Sequence, residues 1–147
     1  MPGITPEATV VLLIVEDSPS DLALTKHALE ESGMPLTLVA ARDGEEAMAV
    51  LRRGRLPDLI LLDLNLPRKS GLEVLTELAG DAELRRIPVV VLSSSAAQKD
   101  VREAYDRNAN AYLVKSLDLD EFVGAVQALR RFWLKVVRLP TQPTSVA

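Results

Sequence analysis

The 147 residues amount to one domain's worth of chain, long enough to enclose a hydrophobic core. Hydrophobic residues make up 48% and charged residues 26%, the balance of a folded soluble protein, and a net charge of −4 argues against a broad nucleic-acid footprint. The absence of cysteine removes disulfides, thiolate metal sites and cysteine nucleophiles, and no apolar run approaches the ~20 residues of a membrane helix. The start Met1-Pro2-Gly3-Ile4-Thr5-Pro6 lacks a basic segment followed by an apolar block, so a cytoplasmic protein without membrane contact is expected.

Residues 1–9, with two prolines and a glycine, read as a flexible arm. Val10 to Val15 is an uninterrupted apolar run, hence a strand buried on both faces, and it ends in Glu16-Asp17. Ser18 and Pro19 then read as the cap and first residue of a helix that Gly33 stops. Leu36 to Ala40 is a short strand, and Asp43 caps a helix from about Glu45 to Arg53. Leu59-Ile60-Leu61-Leu62, bounded by Pro57 and Pro67, is a third buried strand and ends abruptly in Asp63. A polar turn, Arg68-Lys69-Ser70-Gly71, leads to Leu72, Leu75 and Leu78 at helical spacing. Pro88 introduces Val89 to Leu92, which ends in Ser93-Ser94-Ser95. A helix over Lys99 to Asn108, a strand over Ala111 to Val114 ending at Lys115, and a long helix from Asp118 complete the chain.

Five strands alternating with helices imply a doubly wound α/β fold, a five-stranded parallel sheet with helices on both faces. In such sheets the strands end at a common edge, beyond which ligands bind. Four strand ends carry chemistry: Glu16-Asp17, Asp63, Ser93 and Lys115. Three clustered carboxylates repel one another unless a cation lies between them. With no histidine or cysteine beside them, they select a hard ion such as Mg²⁺. A lysine and a hydroxyl opposite them fit a phosphoryl group, with Asp63 as its acceptor. Taken singly, an acidic pair is commonly a solvated surface feature, a strand-end serine a cap, and a lysine a surface charge. The joint placement carries the reading.

These residues resemble the receiver domain of two-component response regulators over about residues 10–130. The matching motifs are Leu-Ile-Val-Glu16-Asp17, Leu-Leu-Asp63-Leu-Asn65-Leu-Pro67 through Ser70-Gly71-Leu72, Val-Val-Leu-Ser93-Ser94 and Ala-Tyr112-Leu-Val-Lys115. The resemblance implies a flavodoxin-like fold with strand order 2-1-3-4-5. It implies phosphorylation of Asp63 by a sensor histidine kinase. It makes Asp17 a direct Mg²⁺ ligand, Glu16 the holder of a metal-bound water and the Asn65 carbonyl a further ligand, with Asp63 completing the set. Ser93, with Ser94 beside it, and Lys115 would contact the phosphoryl group, and Tyr112 would be an aromatic switch. Two positions depart from the usual pattern. Glu16 stands where many relatives have Asp. Ser116 follows Lys115 where the family usually has proline after a cis bond; a cis bond before serine costs ~2.5–4 kcal/mol, so either that strain is tolerated or the bond is trans and Lys115 is aimed differently.

Beyond Leu129 some 18 residues remain, which leaves no room for a DNA-binding output domain and implies a stand-alone regulator. Phe122, Val126, Leu129, Trp133 and Val136 step by four and three, a heptad-like stripe on an extended C-terminal helix. The alternatives are a tail folded back on its own subunit or a partner surface. The tail resembles that of single-domain regulators paired with bacterial phytochromes. That resemblance implies a phytochrome as the kinase and a homodimer formed through Phe132, Trp133, Val136 and Leu139. The expected organisation is therefore a receiver over 10–131 and a dimerisation extension with a disordered end over 132–147. A phosphatase of the haloacid dehalogenase type would need an acid two residues after the nucleophile, where Asn65 stands. A flavin-binding relative would need a phosphate loop where Glu16-Asp17 stands.

Overall fold

Each strand's side chains alternate between two hydrophobic clusters, and that alternation sets the layers of the molecule. The structure is a computed structural model and describes residues 10–30, 35–133 and 139–140. Its strands are β1 (Val10–Val15), β2 (Leu36–Ala41), β3 (Leu59–Leu62), β4 (Val89–Ser93) and β5 (Ala111–Val114). They form one parallel sheet in the order β2-β1-β3-β4-β5, the order that the resemblance implies. Leu13 and Val15 of β1, Ile60 and Leu62 of β3, and Val89 and Val91 of β4 face one cluster. The intervening Leu12, Ile14, Leu59, Leu61, Val90 and Leu92 face the other. This period of two, apolar at both phases, is why the central strands read as continuous apolar runs.

Helices cover both faces. α2 (Gly44–Leu51), α3 (Gly71–Ala79) and α4 (Gln98–Asp106) contribute Ala47, Met48, Val74, Leu75, Leu78 and Ala104 to the first cluster. α1 (Pro19–Glu30) and α5 (Leu119–Arg131) contribute Ala28, Leu29, Phe122, Val126 and Leu129 to the second. Burial of each such aliphatic side chain is worth about 1.5–3 kcal/mol. The helix starts follow local capping chemistry. Asp43 accepts the Glu46 N–H at 2.8 Å, Asp118 accepts the Glu121 N–H at 3.1 Å, and Ser70 with Glu73 closes a reciprocal capping box. A single 3-10 turn at Leu84–Arg86, which the sequence reading did not anticipate, leads into β4. The expected stop at Gly33 lies outside the described residues.

The C-terminal stripe differs from its expectation as a partner seam. Phe122, Val126 and Leu129 are buried in the subunit's own core, and Trp133 packs against the same cluster. Leu139 is 1% exposed and belongs to that cluster with Val10, Leu12 and Leu29. This withdraws Leu139 from any contact surface in this arrangement, because an apolar stripe at helical spacing does not distinguish its own core from a partner's. Phe132 is exposed and stacks edge-on with Trp133 at 5.8 Å between ring centroids. Val136 lies outside the described residues.

Candidate functional site

Three hydrogen bonds carry the sheet ladder one residue past the strands and so place the site residues at its carboxyl edge. The Glu16 N–H donates to Ala41 O at 2.9 Å, the Asp63 N–H to Val15 O at 3.0 Å, and the Lys115 N–H to Ser93 O at 2.7 Å. Residues distant in sequence thereby converge. Glu16 and Asp63 are buried and Asp17 is exposed, and one carboxylate oxygen from each lies within 4.8 Å of the others. An all-oxygen set at this spacing fits a hard divalent cation that keeps part of its water shell. Asn65, also exposed, donates its backbone N–H to Asp63 Oδ1 at 3.0 Å and steadies that carboxylate.

Lys115 is the cation of the site. Its Nζ lies 2.6 Å from Glu16 Oε1, 3.1 Å from Asp63 Oδ2 and 3.1 Å from Asp21 Oδ2. Among the described residues no peptide bond is cis, so the Lys115–Ser116 bond is trans, and the lysine nevertheless reaches Asp63. Ser116 is held by other means. Its hydroxyl accepts the Asp118 N–H at 3.1 Å and donates to Glu121 Oε2 at 2.7 Å, tying the loop to the start of α5.

The crowding shows in the titration of the two central groups. Burial pushes the Glu16 carboxyl up to about 7; the Lys115 hydrogen bond pulls it back and the neighbouring Asp63 carboxylate pushes it further up. For Lys115 burial alone would depress the ammonium, but the Glu16 hydrogen bond and the Asp63 and Glu16 charges outweigh it and hold the group above its usual range. The Glu16 shift reflects chiefly its burial, and the Lys115 shift the carboxylates that surround it.

A second line of contacts leaves the site through the β4–α4 loop. Ser93 is buried, and its Oγ accepts the Ser95 N–H at 3.2 Å. The Ser95 carbonyl accepts the Tyr112 hydroxyl at 2.8 Å, and the Ser95 hydroxyl donates to Asp100 in the first turn of α4. Tyr112 is half-buried and packs against the first cluster. Ser94 is exposed and lines the mouth of the site with Asp21, Lys115 and Ser116.

Two features were absent from the sequence reading. Asp21 contacts Lys115, and its one available signal was an acid in the first turn of the helix that follows Glu16-Asp17. Gly71 permits a close approach: a Cβ there would lie 2.5 Å from Asp63 O and 2.6 Å from Leu64 Cα, so α3 can begin directly against the Asp63 backbone.

Comparison with known proteins agrees with this geometry. The response regulator receiver domain matches residues 12–127. Response regulator Rcp1 of Synechocystis sp. is 44% identical over 136 residues, covering 88% of this chain and 92% of that protein. The crystal structure of the phosphorylated cyanobacterial phytochrome response regulator RcpA superposes with a TM-score of 0.88 at 44% identity, covering 91% of this chain and 100% of that one. The Mn²⁺-bound form of Rcp1 superposes with a TM-score of 0.86 at 43% identity, covering 92% of this chain and 100% of that one. A parallel sheet in receiver order, an acidic pocket at its carboxyl edge and a match over most of the chain converge on one conclusion: the chain belongs to the response regulator receiver domain family.

Proposed function

We propose that this protein is the phosphoacceptor of a two-component pair, taking a phosphoryl group onto Asp63 from a phosphohistidine on a sensor histidine kinase. The observation that carries this reading is the Lys115 ammonium 3.1 Å from Asp63 at the edge where the acidic residues meet. In the transfer the histidine N–P bond breaks and an Asp63 O–P bond forms. Asp63 is held for this by its two partners, the Asn65 N–H on Oδ1 and Lys115 on Oδ2. Lys115 supplies positive charge for the phosphoryl oxygens, and the Ser93 hydroxyl retains a proton to donate to one of them. Glu16, Asp17, Asp63 and the Asn65 carbonyl would hold Mg²⁺, which when bound offsets the charge that builds during transfer. Hydrolysis of the aspartyl phosphate by water returns Asp63 and releases phosphate.

The signal would leave by the contacts already described. When Ser93 turns toward the phosphoryl group it draws on the Ser95 N–H, and Ser95 is bonded to Tyr112 and to Asp100 of α4. Phosphorylation then shifts a pre-existing equilibrium of this loop rather than creating a new state. Because RcpA is a phytochrome response regulator, a bacterial phytochrome is the kinase class proposed for this chain. Residues 132–147 are proposed as a dimerisation extension, with the exposed Phe132 as its described contact. Phe132 and Trp133 border an apolar groove of about 270 Å³ between β5 and α5.

Incubation with an autophosphorylated histidine kinase and Mg²⁺ tests the reading. Label should pass to this protein and not to Asp63→Asn, and chelation should stop it. Transfer to Asp63→Asn at the wild-type rate would reject it. For the dimer, Phe132→Asp should shift sedimentation toward the monomer, and an unchanged species would reject that contact.

A further inference from the structure

Three carboxylates, rather than the two of the strand ends, meet the Lys115 ammonium. A lysine ammonium has three N–H donors and no acceptor, and here Glu16, Asp63 and Asp21 account for all three. Asp21 comes from the first turn of α1, which Ser18 fixes: the Asp21 N–H donates to Ser18 Oγ at 3.3 Å and the Leu22 N–H to Ser18 O at 2.9 Å. The Asp21 side chain is 44% exposed, against 5% for Glu16 and 8% for Asp63, so it grips the ammonium from the solvent side. It is not one of the three carboxylates whose oxygens cluster within 4.8 Å.

Lys115 needs such a grip. Its stem has four rotatable bonds, and an ammonium on a flexible stem is aimed only by what holds its tip. Its own backbone N–H is fixed on Ser93 O, Ser116 after it is committed to Asp118 and Glu121, and Glu16 and Asp63 hold the tip only from the buried side.

We propose that Asp21 is a positioning residue of the phosphoacceptor site. It holds the Lys115 ammonium by its outward N–H so that the remaining donors stay on Glu16 and Asp63, beside the oxygen that takes the arriving group. The proposal rests on Asp63 being the phosphoacceptor. With acetyl phosphate as donor, the acyl O–P bond breaks with its electrons leaving on acetate while an Asp63 oxygen forms the new O–P bond. Lys115 gains and loses no proton. A residue acting only through its charge would have the opposite signature, because a carboxylate at the mouth repels an anionic donor.

Asp21→Asn and Asp21→Ala, assayed with acetyl phosphate at saturating Mg²⁺, separate the two. Positioning predicts slower phosphorylation of Asp63, by about tenfold for Asp21→Ala and less for Asp21→Asn, which keeps an oxygen acceptor, with Mg²⁺ affinity unchanged. It also predicts that the Lys115 ζ-ammonium ¹H–¹⁵N signal, protected from water in the wild type, is lost to exchange in Asp21→Ala. Phosphorylation at the wild-type rate or faster in both variants would overturn the proposal, as would an ammonium signal equally protected in both proteins. A wild type that accepts no phosphoryl group would instead refute Asp63 as acceptor, while the ammonium signal would still test the clamp.

Discussion

Glu16 gives the sharpest quantitative test of the proposed Mg²⁺ site, because a proton on its carboxyl removes a negative charge on which ion binding there would draw. Its carboxyl is pushed up to about 7 by burial, against an ordinary value of 4.5. Metal binding requires the ionised form, so affinity falls wherever Glu16 is protonated. At about pH 6 roughly nine in ten Glu16 carboxyls carry a proton, and at about pH 8 roughly one in ten. Mg²⁺ affinity should therefore drop about tenfold between those conditions, and binding near neutrality should release about half a proton. Calorimetric titration in two buffers of different ionisation enthalpy measures both. The sign for stability runs the other way. The folded state binds more protons than the unfolded chain between 4.5 and about 7, so this group's contribution in metal-free protein falls as pH rises through that window. The rise in melting temperature on adding Mg²⁺ should accordingly be larger at the higher pH. Lys115 does not confuse the result, since its raised value leaves its contribution intact until pH exceeds the ordinary 10.5. Glu16→Gln should flatten the dependence. An affinity equal at both conditions, with no proton released, would refute the account of Glu16.

Further outcomes follow from the packing. Leu139→Ala should cost about 3 kcal/mol as a core cavity and lower the melting temperature by about 10 °C, whereas an exposed Leu139 would leave it unmoved. Gly71→Ala must displace the Asp63 backbone, so phosphorylation of Asp63 should slow beyond what a loss of about 1–3 kcal/mol in stability explains; unchanged kinetics would show that the close approach is unimportant. Arg130 is 4% exposed, and its Nε and Nη2 have no hydrogen-bond partner among the described residues. Arg130→Met should therefore raise the melting temperature, and a fall would show that the guanidinium is paired rather than unsatisfied.

The fold was legible because its strongest signals are short-range. β1, β3 and β4 are apolar at both phases of the strand period, and Asp43 and Asp118 announce helix starts by side chains that cap them. The 3-10 turn at Leu84–Arg86 was missed because it is three residues long; its side-chain signal is Asp81, whose carboxylate accepts the Glu83 and Leu84 N–H groups. For the site, parallel strands sharing one edge were enough to bring Glu16, Asp17, Asp63, Ser93 and Lys115 into one region on paper. What required coordinates was aim. The lysine's contacts with Glu16, Asp21 and Asp63 join elements far apart in sequence, and the Lys115–Ser116 bond is trans. Asp21 went unnoticed because an acid in a helix's first turn is favourable to the helix dipole and needs no other reason to be there. For Leu139 the reason is different: burial in the cluster that holds Val10 and Leu29 looks in sequence like burial against another subunit.

The central claim is that Asp63 accepts a phosphoryl group, and its most direct test is incubation with acetyl phosphate, with and without Mg²⁺, followed by intact mass and borohydride reduction to locate the acyl phosphate. The account predicts a single adduct, dependent on Mg²⁺, that reduces residue 63 to homoserine. An adduct at another residue, or none in protein that demonstrably binds Mg²⁺, would contradict it.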